Sequence, residues 1–164
     1  MKLHMRKNGI LLAAIGTAVL ALLPALARAS ASAPFHATFY DVSFQNSCSP
    51  PIVFCGSGTI AGYGRASTVV RVIRNVPLPG TQCNDVAGIR SITLDDGSGT
   101  FVSEFTGERC PLGDGGNAFR VDFDWAADPT ASNGVFAGAT GAGTGVNTTA
   151  GNVQVVTLAG TITQ

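Results

Sequence analysis

The sequence predicts an all-β protein, a single antiparallel β-barrel of about eight strands. Three observations carry that expectation. Short runs rich in β-branched and aromatic residues recur between turn signals such as Pro77-Leu78-Pro79-Gly80 and Asp95-Asp96-Gly97-Ser98. No stretch beyond the N-terminal segment reads as a convincing helix. The third is Gly134 to Gly145, with five glycines in twelve residues and one large side chain, Phe136. Each glycine costs a helix roughly 1 kcal/mol against Ala. In a strand, glycine marks a bend, a bulge or close approach of another backbone. The stretch therefore reads as one sharply coiled strand, with Phe136 as its packing anchor, of the kind that lets a sheet close on itself.

The N-terminus reads as an export signal. Lys2, Arg6 and Lys7 precede the apolar run Ile10 to Leu23, which breaks at Pro24. Ala27-Arg28-Ala29 and Ala29-Ser30-Ala31 both fit a small-x-small cleavage site. Residues 1–29 are thus expected to be a signal peptide, with the cut after Ala29 or Ala31, and residues 30–164 the barrel domain. The run is shorter than the roughly 20 residues that span a bilayer. No stable membrane anchor is expected after processing, and the destination is secreted, extracellular or periplasmic.

Removing that segment takes four of the ten basic residues and none of the ten acidic ones, leaving 135 residues with a net charge of −4 and no lysine. Such a domain is a poor partner for nucleic acid or anionic membrane, both of which need basic patches.

The strands follow in order. Phe35 to Phe44 is the first, with apolar residues on both parities, so its facing stays open. Cys48 to Cys55 reads as a loop, since Pro50 and Pro51 cannot donate to a ladder. Gly58 to Ala66, Thr68 to Val76, Val86 to Leu94, Thr100 to Thr106, Phe119 to Trp125, the Gly-rich stretch and Val153 to Ile162 follow. Asp96-Gly97 is a type I′ hairpin signal. With those two as the loop, paired residue numbers sum to 193. Ile92 then faces Phe101, Arg90 faces Ser103 and Gly88 faces Phe105, which makes one face mostly apolar, as a half-buried hairpin requires. Phe119, Val121, Phe123 and Trp125 likewise share one face.

All four cysteines follow the export signal, and an even count there argues for two disulfides. Cys83 and Cys110 also sum to 193, so the register places them opposite one another. Cys48–Cys55 is then the second bridge. A thiolate metal site normally shows close C-x-x-C pairs, and the sequence has none, so no metal is expected.

Other chemical motifs are weak. Gly56-Ser57-Gly58-Thr59-Ile60-Ala61 fits a loose dinucleotide pattern, but Gly62-Tyr63-Gly64 follows where a helix N-terminus is required. His36 is the one histidine left, which excludes a multi-histidine metal site within the chain. The aspartates at 95–96 and at 114 sit in turns that lack the spaced ligands of a calcium loop. Asn147-Thr148-Thr149 matches a glycosylation acceptor and is read as chance. The charge out of place is Arg90, on the apolar face. Burying a guanidinium is costly unless it is paired. The favoured reading is a bulge at Gly88 that turns Arg90 outward. The others are an ion pair with Asp41, or an arginine that orients a ligand. Arg71 and Arg74 have opposite parity, so one of them is a further inward candidate.

Gly134-Val135-Phe136-Ala137-Gly138-Ala139-Thr140-Gly141 resembles the G-x-F-x-G-A-x-G segment of the dirigent and allene oxide cyclase-like barrels. Cys55-Gly56-Ser57-Gly58-Thr59, Ile92 to Gly97 and Thr157 to Ile162 look like small exported bacterial proteins of that kind. The resemblance implies an eight-stranded antiparallel barrel, often a homo-trimer, whose interior holds a small hydrophobic molecule and steers its cyclisation or coupling. It implies no cofactor. The families' acidic and tyrosine site residues cannot be placed by motif. Arg90, Asp41, Tyr40 and Tyr63 are the candidate ligand-binding residues. The expected function is binding of a small apolar ligand or a surface partner without catalysis. A dirigent-like cyclase is the runner-up, and an envelope-associated structural protein with a filled barrel is the third reading.

Overall fold

The computed structural model describes residues 31–43, 54–113 and 118–164. The expected export signal, Cys48 and the turn residues 114–117 lie outside them. The described chain is all-β: β1 (Ser32–Ser43), β2 (Phe54–Ile60), β3 (Gly64–Pro77), β4 (Asn84–Leu94), β5 (Gly99–Pro111), β6 (Ala118–Ala127), the two-residue β7 (Asn133–Gly134), β8 (Thr140–Ala150) and β9 (Val153–Thr163). Each long strand pairs antiparallel with the next. β6 passes over β7 to reach β8, and β1–β9 closes the ring, giving an eight-stranded barrel. Closure leaves no long unpaired edge.

The β4–β5 register is the one the sequence dictates: Ile92 faces Phe101, Arg90 faces Ser103, and Asn84 faces Arg109. The turn itself differs. A type I′ turn needs positive φ at both central residues, yet no non-glycine residue here has one. Asp96 keeps an ordinary conformation, its Oδ1 accepts the Ser98 N–H at 2.9 Å, and Gly97 alone takes φ 74°. The loop is therefore four residues long, Asp95 to Ser98, and preserves the same pairing sum. Cys83–Cys110 bridges the far ends of β4 and β5 with Cα atoms 4.2 Å apart. Cys48–Cys55 has one partner outside the described residues.

Two element expectations are corrected. Gly58 to Ala66 is not one strand, because Ala61-Gly62-Tyr63 turns the chain between β2 and β3. Gly134 to Gly145 is not one coiled strand either. Gly134 and Gly138 take φ 59° and 72°, so residues 135–138 form a tight turn, and only Thr140 onward is strand. Phe136 is fully buried as expected of an anchor. It sits at the tip of that turn, tucked into one end of the barrel.

β1 resolves its ambiguous facing with Phe35, Ala37, Phe39 and Asp41 inward. The interior then divides along its length. At the end closed by Phe136, a core of Phe35, Phe101, Trp125, Ile92, Leu158 and Ile162 is packed solid. Toward the other end, where Pro77, Pro111 and Gly151 lie, the described residues leave the interior open.

Candidate functional site

The open half is a cavity of about 580 Å³, within the roughly 300–1,000 Å³ of small-molecule sites. Its apolar wall comes from inward positions of five strands: Val70 and Val72 on β3, Val86 on β4, Phe105 on β5, Val121 and Phe123 on β6, with Phe54 on β2. Period-2 geometry puts every second residue of a strand there. The large rings do not fill the space because glycines on neighbouring strands let them lie against the wall. A Cβ on Gly88 would stand 2.6 Å from Phe105 Cζ, and one on Gly145 would strike the Phe123 ring. Small residues facing large ones is how small barrels fit side chains to their curvature.

Polar groups enter this wall at few places. Asn147, Thr149 and Gln154 sit side by side on β8 and β9, with Asn147 Nδ2 donating to Gln154 Oε1 at 2.7 Å. Asn147 therefore faces the interior. Asn75 on β3 and two arginines, Arg90 and Arg109, complete the polar lining.

Arg90 lies between the two halves. Its Nη1 donates to Asp41 Oδ2 at 3.0 Å and to Thr68 Oγ1 at 2.9 Å. The guanidinium carbon is 5.9 Å from the Phe39 ring centroid, within cation–π range. The side chains of Arg90 and Asp41 are 5% and 0% exposed, so the ion pair is fully desolvated. Burial pushes the Arg90 pKa below its ordinary value, and the charge of Asp41 and its hydrogen bond oppose that shift. An arginine remains charged under such opposition. Asp41 Oδ1 and Arg90 Nε have no hydrogen-bond partner among the described residues. Asp41 fits only because Gly56 stands opposite, where a Cβ would be 2.7 Å from Oδ1.

This corrects the outward reading of Arg90. The bulge exists, but on the facing strand: Ile73 is the extra residue between Val72, paired with Gly88, and Arg74, paired with Ala87. β4 keeps its register, so Arg90 stays inward. The same bulge resets the parity of β3, and both Arg71 and Arg74 face outward. Arg74 pairs with Asp85 at 2.8 Å, and Asn75 takes the inward position.

The sequence-predicted candidates separate. Arg90 and Asp41 meet across 49 residues of chain. Tyr40 is 61% exposed on the outer face of β1. Tyr63 packs on Phe136 at the closed end, with ring centroids 4.8 Å apart. Neither tyrosine reaches the cavity. Sequence reasoning missed Arg109, Asn147, Thr149 and Gln154. The signal for Arg109 was present, since the 193 register carried past Thr106 gives it the inward parity of Phe101 and Phe105.

Other candidates resolve structurally. Gly56 and Gly58 are strand residues of β2 packed on Asp41 and Phe39, not a phosphate-binding turn. Among the described residues, the one cluster compact enough to hold a metal is Cys83, Glu108 and Cys110, and both of its sulfurs are in the disulfide. No described helix is long and apolar enough to cross a membrane. No family model, curated protein or solved structure matches the chain.

Proposed function

We propose that this is an exported barrel that holds a small, largely apolar molecule in its open half, without catalysis. The observation that carries the reading is the roughly 580 Å³ cavity walled by valines and phenylalanines directly above a solid core. Apolar surface left facing such a space gains about 25 cal/mol per Å² when a ligand covers it. A disulfide at Cys83–Cys110 suits an oxidising compartment. A purely structural barrel has no need of the vacancy.

The runner-up is a cofactor-free cyclase or isomerase of the dirigent and allene oxide cyclase-like kind. It is favoured by polar groups, Arg90, Asn147, Thr149 and Gln154, converging on an apolar pocket.

Titrating the purified protein with the neutral fluorophore N-phenylnaphthylamine tests the binding reading. Saturable, one-to-one, blue-shifted emission is expected. Val70→Trp, which places an indole in the cavity, should abolish it while the protein still melts cooperatively. Non-saturable emission, or emission unchanged in Val70→Trp, would remove the cavity as the site.

A further inference from the structure

The cavity is lined by two arginines and, among the described residues, by no carboxylate. The arginines are not equivalent. Arg90 is neutralised by Asp41 at 3.0 Å. Arg109 faces Asn84, six positions along β4 from Arg90, which is roughly 20 Å of strand toward the open end. Its guanidinium carbon lies 3.5 Å from the Phe119 ring centroid, a stacked geometry. No described carboxylate forms an ion pair with it, and no described side chain hydrogen-bonds its guanidinium. On the adjacent strands, Asp85 is paired with Arg74 and Asp122 with Arg120, and Asp124 has the same outward parity as Asp122. The Arg109 pKa is lowered, and desolvation by burial is the cause. A half-buried cation thus stands at the rim of an apolar cavity without a counter-charge among the described residues.

Stacking on Phe119 fixes the plane of the guanidinium and leaves its N–H edge for a bidentate acceptor. The charge is local rather than part of a general basic surface, because the chain beyond residue 29 carries six basic residues against ten acidic ones. Arg90 with Asp41 sums to zero, so the described lining of the site carries one uncompensated positive charge.

We propose that the ligand is an amphipathic monoanion: an apolar body occupies the open half of the barrel, and a terminal oxyanion is received by Arg109 at the rim. Arg90 is not the anion receptor, since its counter-charge is already Asp41. This rests on the cavity being a binding site. Carboxylate, sulfate and phosphate monoester heads share the required chemistry.

The test is displacement of N-phenylnaphthylamine by decanoate, decyl sulfate and decan-1-ol, which share one tail and differ in the head. Decanoate or decyl sulfate should displace the fluorophore at least about tenfold more tightly than decan-1-ol, the increment expected of a charge-assisted bidentate contact. The better of the two anions identifies the head group. Raised salt should erode the preference. Arg109→Gln should bring the anion-to-alcohol ratio close to one, Arg109→Lys should restore part of it, and Arg71→Gln on the outer face should leave it intact. Should Arg109→Gln not fold, the wild-type ratio and Arg109→Lys still decide. Equal displacement by anion and alcohol, or a preference that survives in Arg109→Gln, would overturn the proposal while leaving the cavity reading in place. If the fluorophore itself does not bind saturably, both readings fail together.

Discussion

In the closed half of the barrel, aromatic rings meet across the axis. Phe35 lies 5.0 Å from Phe101 and 5.3 Å from Trp125, and Phe101 lies 5.6 Å from Phe136, centroid to centroid. In the open half, Phe105 and Phe123 touch each other at 5.5 Å along the wall, and no described ring meets them from across the axis. Both halves take apolar residues from β2 to β6, and the open half adds polar ones from β8 and β9. A further difference lies in what caps each end. The turn at residues 135–138 inserts Phe136 into the closed end, and Ser132 secures its approach: Ser132 Oγ accepts the Val102 N–H at 3.0 Å. The open end has no such described plug, and glycines hold its rings aside. A barrel of eight strands sits at the size where its interior is either just filled or just able to hold one ligand. Here one barrel does both.

The largest expected effect sets the halves against each other. Phe101→Ala should cost about 3–5 kcal/mol, as for other buried aromatics, whereas Phe119→Ala at the open rim should cost less than about 1.5 kcal/mol. Urea denaturation measures both, and equal losses would mean the two halves do not differ in packing. At the boundary, Arg90→Met should cost about 3 kcal/mol because it strands the Asp41 carboxylate in a dry site. Adding Asp41→Leu should recover most of that loss. Arg90→Met alone being neutral would show that the pair is solvated in solution.

Gly145→Val tests the glycine device. The new side chain meets the Phe123 ring, which must leave the wall and enter the cavity. A loss of about 1–3 kcal/mol is expected, together with lost fluorophore binding. Retained binding would show that the wall rings do not define the space. The smallest effect belongs to Asp128, at the start of the connection that carries Phe136. Its Oδ1 accepts from the Thr130 hydroxyl at 2.7 Å and from the Ala131 and Thr130 amides, which hold its pKa below the ordinary carboxylate value. A depressed folded pKa stabilises above the unfolded value, about 3.9, and the contribution fades as pH falls through the folded one. Thermal melts of Asp128→Asn against wild type should differ slightly at neutral pH and converge in strong acid. A gap that persists in acid would assign the effect to something other than this carboxylate.

Much of the fold was legible because it rests on period-2 geometry. The facing of strand 119–125, the 193 register of the β4–β5 hairpin and the pairing of Cys83 with Cys110 all follow from alternation and one turn. The same arithmetic reaches Arg109 when it is carried to the end of β5. It fails for Arg71 and Arg74, where Ile73 bulges β3 and reverses the parity.

The sequence by itself therefore determined an all-β barrel, its hairpin register, one disulfide and the parity that puts Arg90 beside Ile92 on the apolar face. Only the tertiary structure decided that Arg90 stays inward, that Asp41 on β1, three strands from β4, meets it, that Tyr40 and Tyr63 stand elsewhere, and that the described residues leave half of the interior unfilled. The reason is physical. Alternation is a property of one strand and its neighbour. Whether an interior is filled depends on the volumes that eight strands and one inserted turn send to a common axis, and on which glycines let each ring lie flat.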